Sequence, residues 1–162
     1  MTARLFAIAF AAFFLTAVPA SAQQTPPPYG APITLEVAKK IMAAAEAEAV
    51  KNNWQVVITI IDSGGHMVAM QRSDNTQLAS ISASEGKAQT SLAFKLPSKA
   101  LEDAIAAGGS GIRLLALKNI SPFEGGLPII VDGKIIGAIG VSGALSAQDA
   151  QVARAGLSAV EN

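Results

Sequence analysis

The chain contains one histidine, His66, which follows Asp62 by four residues at the end of an apolar run. A carboxylate at that spacing could orient the imidazole ring and raise its basicity. One imidazole is sufficient for haem iron, which takes a single protein ligand on its proximal side. The other interpretation is a surface or interface histidine without a ligand, and the spacing leaves both open.

Five residues form the densest ionisable cluster between two apolar stretches: Asp62, Arg72, Asp74, Glu85 and Lys87. Glu85 and Lys87 are two positions apart, so on a helix they cannot point in the same direction. One of them is expected to point inward, and a buried Lys87 would need a carboxylate partner. The cluster could hold an anion, supply a base, or form a structural ion-pair network.

Composition excludes several kinds of site. The 162 residues include 12 basic and 12 acidic side chains, no cysteine and one histidine. That length suits one domain with a substantial core, and the balanced charge argues against a nucleic-acid partner. The lack of cysteine excludes disulfides, thiolate metal sites and cysteine nucleophiles. A site built on two imidazoles of one chain is excluded as well.

Residues 1–22 have the pattern of a secretory signal peptide. Arg4 supplies the positive start, Leu5–Leu15 is uninterrupted and apolar, and Ala20-Ser21-Ala22 is a small-x-small cleavage site. The apolar stretch is short for a membrane span, which needs about 20 residues. We therefore expect a mature chain that begins at Gln23, has no stable membrane insertion, and is periplasmic or secreted.

Residues 23–32 contain four prolines, which cannot join a helix and favour an extended arm. Such an arm could lie on a neighbouring subunit or be a disordered tail. The folded domain is then expected to span residues 33–162.

Hydrophobic periodicity predicts an α+β domain. Thr34 can cap a helix that runs to about Asn52, with one apolar face. Gln55–Ile61 is apolar on both faces, so as a strand it needs cover on both sides, from helices or from another subunit. Two further strands are predicted at His66–Gln71 and Ile112–Leu117, and two helices at about Leu78–Phe94 and Ser98–Ala106. Leu127–Val131 and Lys134–Ser142 are predicted to form a hairpin around the turn Asp132-Gly133. A last helix is predicted to begin with a capping box at Ser146–Asp149. Together they predict an antiparallel sheet of about five strands with helices packed on it.

Glycines recur through the last predicted strand at Gly137, Gly140 and Gly143. Glycine weakens a strand unless something must approach the backbone closely. One interpretation is tight packing of a helix on the sheet, and the other is a ligand or partner subunit lying against a bare sheet face.

Seven blocks of sequence carry a family resemblance. They are Asp62–His66, Arg72 with Asp74, Lys87-Ala88 with Thr90, Glu124–Pro128, Val131–Gly133, Ile136–Gly143 and Gln148–Ala153. Through these blocks the chain, from about Ile33 to Val160, resembles the GlcG/HbpS family, a haem-binding family that is also similar to the C-terminal domain of PduO-type corrinoid proteins.

The resemblance implies a profilin-like α+β fold and a symmetric homo-oligomer, often an octamer. For some members it also implies haem binding at a surface or interface, with peroxide-linked haem breakdown. On this basis His66 is the candidate ligand of haem iron, and Asp62, Arg72 and Lys87 are further candidate cofactor-binding residues. The poorer candidates for the iron ligand are Met67, Met70 and Tyr29.

Three hypotheses about function stay open at this point. The first is an exported haem-binding protein. The second is an enzyme or binder of a small carboxylate or aromatic metabolite, which would use Arg72, Lys87 and a loop of Glu124, Gly125 and Gly126 as substrate-binding residues. The third is a structural or accessory oligomer, because a fold does not determine a function.

Overall fold

The computed structural model describes residues 25–160, and the predicted signal peptide lies outside them. The described elements, in chain order, are α1 (Leu35–Lys51), β1 (Val57–Asp62), β2 (Met67–Arg72), α2 (Ala79–Phe94), α3 (Ser98–Ala106), a 3₁₀ helix (Gly109–Ala116), β3 (Gly126–Val131), β4 (Lys134–Ser142) and α4 (Ser146–Leu157). None of the helices in this part of the chain is both long and apolar enough to cross a membrane.

The strands form one antiparallel sheet in the order β2-β1-β4-β3. Each hairpin joins neighbours in sequence, and the two hairpins meet where β1 pairs with β4, with Ile60 opposite Ile139. The predicted α+β class and antiparallel sheet are thereby confirmed. The described sheet has four strands, where the sequence predicted about five.

Helix α2 covers one face of the sheet. Its backbone approaches β4 so closely that a Cβ on Gly140 would overlap the carbonyl oxygen of Ser84. Beside this contact the hydroxyls of Thr59 and Ser84 are 2.8 Å apart and buried. Tight packing of a helix on the sheet is therefore the reason for glycine at this position.

Helices α1 and α4 cover the other face. The α1 residues buried against the sheet are the five that its periodicity selects: Ala38, Ile41, Met42, Ala45 and Ala49. Thr34 caps the helix by accepting a hydrogen bond from Val37 N–H at 3.3 Å. Ile58 and Ile60 of β1 join this larger core, whereas Ile61 packs with Ala88 and Leu92 of α2. Helices thus cover β1 on both sides, as its two apolar faces require.

The predicted strand at Ile112–Leu117 is wrong, because most of that segment belongs to the 3₁₀ helix. Gly108 and Gly109 begin the segment with positive φ angles of 73° and 58°. A Cβ on Gly111 would overlap the carbonyl oxygen of Ala104 in α3. This contact against α3 holds the segment in a tight turn, away from the sheet.

The predicted capping box at Ser146–Asp149 is displaced by one residue. Leu145 is the N-cap of α4, and its N–H donates to the side-chain oxygen of Gln148 at 3.1 Å. Asp149 instead accepts a hydrogen bond from the N–H of Ala144 at 3.0 Å. The carboxylate is thereby held inside the molecule.

The proline-rich arm lies along this chain's own sheet. The carbonyl of Pro28 accepts from Ile135 N–H at 2.9 Å, and Gly30 N–H donates to the Ile135 carbonyl at 2.8 Å. The hydroxyl of Tyr29 donates to the carbonyl of Leu92 in α2 at 2.8 Å. β1 ends at Asp62, opposite Gly137, so it does not cover the start of β4. The arm lies beside β4 at that uncovered position.

Candidate functional site

The turn between β1 and β2 is organised by the carboxylate of Asp62. Its Oδ1 accepts hydrogen bonds from the N–H groups of Gly64, at 2.8 Å, and His66, at 2.9 Å. These donors, that of His66 first, stabilise the ionised carboxylate and hold the pKa of Asp62 below its ordinary value. Gly65 has a φ of 84°, which this turn requires.

His66 presents its imidazole to the outside, with 83% of the side chain exposed. Its Nδ1 lies 3.5 Å from Oδ1 of Asp62. A carboxylate beside Nδ1 favours the proton on that nitrogen, which leaves Nε2 with the lone pair that a metal needs. The structure therefore brings Asp62 and His66 together as the spacing predicted.

The turn is anchored to α2 through Gln89. Its side-chain nitrogen donates to the carbonyl of Gly65 at 2.6 Å, which fixes the residue immediately before His66. Two of the poorer candidate iron ligands, Met67 and Tyr29, are also exposed at this end of the sheet. The site at this turn is thus an exposed surface on a fixed backbone.

Arg72 lies at the opposite end of β2 from His66, about 20 Å along the strand at roughly 3.3 Å per residue. It is exposed and lines a cavity of 390 Å³ together with Trp54, Gln71 and Asp74. A single chain therefore does not bring Arg72 to His66.

Lys87 is buried in an ion pair. Its Nζ lies 2.7 Å from Oδ2 of Asp149, and it also donates to the carbonyl of Val141 at 2.9 Å. Only 4% of the Lys87 side chain and 3% of the Asp149 side chain are exposed. Burial raises the pKa of Asp149, and the ammonium of Lys87 opposes that shift without reversing it. Of Glu85 and Lys87, the lysine is therefore the one that points inward, and it has the carboxylate partner that its burial was expected to require.

Gly125 and Gly126 close over this pair. A Cβ on Gly125 would lie 3.0 Å from Nζ of Lys87, and a Cβ on Gly126 would overlap the Lys87 carbonyl oxygen. The hydroxyl of Ser98 accepts from Gly126 N–H at 2.8 Å and donates to the carbonyl of Phe123 at 2.6 Å. Lys87 and the two glycines therefore meet in close packing, and their assignment to a substrate site stays a prediction.

Glu124 belongs to a polar contact beside that packing. Its N–H donates to Oε2 of Glu102 at 2.6 Å, and its own Oε1 lies 3.9 Å from Nη1 of Arg154. Glu124 thus contacts residues of both α3 and α4, and its predicted role in substrate binding stays a prediction.

Sequence reasoning misses two residues of this cluster. It assigns Asp149 to a capping box, although a buried Lys87 already requires a carboxylate somewhere in the chain. It assigns Ser98 only to the start of α3, but the Ser98 hydroxyl holds the loop before β3. The partner residues are distant in sequence, so no local pattern identifies them.

A larger cavity of 820 Å³ lies between α2 and the loop at 117–121, and sequence reasoning does not identify it. Polar and apolar side chains both contribute, among them Glu85, Phe94, Lys118 and Ile120. Within residues 25–160, no group of three or more histidine, aspartate or glutamate side chains could hold a metal ion.

Comparison with known proteins gives consistent matches. The family model described as "Haem degrading protein HbpS-like" matches residues 33–158. GlcG of Escherichia coli K12 is 39% identical over 110 residues, which are 68% of this chain and 81% of GlcG.

Two solved structures extend the similarity to the whole fold. A double mutant of HbpS from Streptomyces reticuli has a TM-score of 0.76 at 27% identity, covering 91% of this chain and 99% of HbpS. A complex of PduOC with haem has a TM-score of 0.74 at 26% identity, covering 80% of this chain and 96% of PduOC.

Proposed function

The chain belongs to the HbpS-like family, and on that premise we propose that it binds haem. The observation that carries the proposal is the similarity to the PduOC–haem complex across 80% of the chain. The sequence offers one imidazole, His66, for the iron. Peroxide-dependent breakdown of the bound haem is the finer part of the proposal, and it is supported by the description of the family.

The residues of the β1–β2 turn fit this cofactor chemically. His66 is exposed and its Nδ1 faces Asp62, so Nε2 is available to the iron. When bound, haem would supply a redox-active iron that can react with peroxide. His66 would hold the iron, and Asp62 would keep the imidazole in the ligating tautomer. Arg72 and Lys87 have no part in this arrangement within one chain.

The proposal includes export and self-association. Residues 1–22 would direct the chain to the periplasm or the outside, where the mature chain would act. A homo-oligomer is supported by apolar side chains that a single chain leaves exposed, and the resemblance implies an octamer. Among them, Ile112 and Leu115 are 54% and 61% exposed. Because 3₁₀ residues three apart share a side, these two form one apolar surface.

Haem titration of the mature chain, residues 23–162, tests the proposal. We expect a saturable shift of the Soret band, and we expect His66→Ala to weaken binding at least tenfold because the iron loses its imidazole. Met67→Ala is the matched control, since Met67 is the adjacent exposed candidate ligand. Adding hydrogen peroxide to the complex should then bleach the Soret band.

Two results would overturn the assignment at different levels. An unchanged free-haem spectrum would contradict haem binding itself. A shift that survives His66→Ala but is lost in Met67→Ala would retain haem binding and remove His66 as the ligand.

A further inference from the structure

The cavity between α2 and the loop at 117–121 has walls that are held in place without a ligand. The N–H of Ser121 donates to the hydroxyl of Thr90 at 2.8 Å. A Cβ on Gly86 would overlap the Ser121 hydroxyl, so the loop rests directly on the helix backbone. When a site is already formed before the ligand binds, less binding free energy is lost to the ordering of its own residues.

The cavity presents opposite charges beside an apolar surface. Glu85 comes from α2, and Lys118 comes from the loop. Within residues 25–160, neither side chain makes an ion pair. Phe94, Leu117 and Ile120 supply the apolar part of the lining. A volume of 820 Å³ is within the range of about 300–1,000 Å³ that is usual for small-molecule sites.

We propose that this cavity binds a compact apolar molecule that carries one carboxylate and one hydrogen-bond donor. The carboxylate pairs with the ammonium of Lys118, and the donor is accepted by the carboxylate of Glu85. The apolar body lies against Phe94 and Ile120. His66 is not among the residues that line the cavity, whereas Gln89, which donates to the carbonyl of Gly65 beside His66, is one of them. The cavity therefore adjoins the proposed haem turn but does not include the proposed iron ligand.

Three simple probes separate these contributions: 4-hydroxybenzoate has both polar groups, benzoate lacks the donor, and phenol lacks the carboxylate. Isothermal titration of the haem-free mature chain should give the tightest binding for 4-hydroxybenzoate. Lys118→Gln should weaken the binding of 4-hydroxybenzoate and of benzoate about tenfold, because it removes a charge-assisted hydrogen bond to the carboxylate. Glu85→Gln should reduce the preference for 4-hydroxybenzoate over benzoate.

Two further variants control for indirect effects. Ala93→Leu places a larger side chain in the cavity at an exposed helix position, so it should block binding and leave the fold intact. Lys134→Gln removes an exposed lysine at the β3–β4 turn, which does not line the cavity, and should leave binding unchanged.

The proposal is overturned if none of the probes binds at millimolar concentration, or if binding is indifferent to Lys118→Gln and Ala93→Leu. It is also overturned if these two variants change the sedimentation of the chain and no probe binds, because a second copy would then cover the cavity. Haem titration of the same variants distinguishes this failure from failure of the haem proposal.

Discussion

At the scale of single residues, Asp62 has the most connected side chain of the candidate haem turn. One oxygen accepts two backbone N–H groups and faces the imidazole of His66. The hydrogen bonds shape the turn, and the same charge orients the ring. A change at Asp62 should therefore affect both the stability of the fold and the ligation of iron.

The effect of Asp62 on stability should depend on pH. Its pKa is lowered from 3.8 in the folded chain, so the folded state holds a proton less readily than the unfolded state does. The stabilisation is present above about pH 4 and is lost as the pH falls through the lowered pKa. Asp62→Asn keeps the acceptor oxygen and removes the charge, so at pH 7 it should lower the free energy of unfolding by about 1 kcal/mol.

Urea denaturation at pH 7 and pH 3 measures this difference. We expect the difference in unfolding free energy between the two proteins to shrink at pH 3, because the unfolded wild-type chain there takes up a proton at Asp62 more readily than the folded chain does. An equal gap at both pH values would show that the ionised form of Asp62 has no special role in the turn.

At the scale of elements, the Lys87–Asp149 pair connects α2 and α4 at one end of the sheet, since Lys87 also binds the carbonyl of Val141 in β4. Removing one partner leaves the other as an uncompensated buried charge. Replacing both by neutral residues removes that penalty. The pair therefore makes the positions of the two helices interdependent.

Lys87→Met should lower the free energy of unfolding by about 3–5 kcal/mol. The double variant Lys87→Met/Asp149→Asn should recover most of that loss, because the uncharged amide that replaces the carboxylate would still accept the N–H of Ala144. Lys99→Met is the control, since it breaks the exposed pair with Asp103 and should change little. Chemical denaturation of the four proteins gives the comparison, and a Lys87→Met variant as stable as Lys99→Met would contradict it.

Helices and strands with a clear hydrophobic periodicity could be predicted from the sequence, whereas contacts between residues distant in sequence could not. The buried face of α1 and the two covered faces of β1 follow from hydrophobic spacing alone. The spacing of Glu85 and Lys87 indicated that one of them points inward but did not select which. The partner of Lys87 is 62 residues away and depends on how β4 leads into α4. The 3₁₀ helix was misassigned because its apolar residues resemble a strand, while Gly111 holds it against α3. The profilin-like topology stays a prediction.

At the scale of the whole molecule, the apolar surface of Ile112 and Leu115 is the feature that a single chain leaves uncovered. No residue of the 3₁₀ helix is buried in the described part of the chain. Burying two such side chains against a second copy would remove apolar area from water, which favours association.

The mature chain should therefore sediment at micromolar concentration as a particle larger than one chain. Ile112→Glu/Leu115→Glu should shift it toward the single chain, because association would bury two carboxylates. Val50→Glu introduces a charge at another exposed apolar position, 70% exposed on α1, and should leave sedimentation unchanged. A wild-type chain that sediments as a single copy would contradict self-association through this surface.

The two outer strands of the sheet, β2 and β3, differ in how readily another strand could pair with their outer edges. β3 carries Pro128, and its register shifts between Ile129 and Ile130, so its outer edge lacks a continuous row of backbone donors. β2 has no proline between Met67 and Arg72, and its one irregularity is next to the turn. The outer edge of β2 is therefore more favourable than that of β3 for pairing with a strand of another molecule. Pairing of two copies through β2 alone would use both β2 edges and leave none to extend the assembly into a filament.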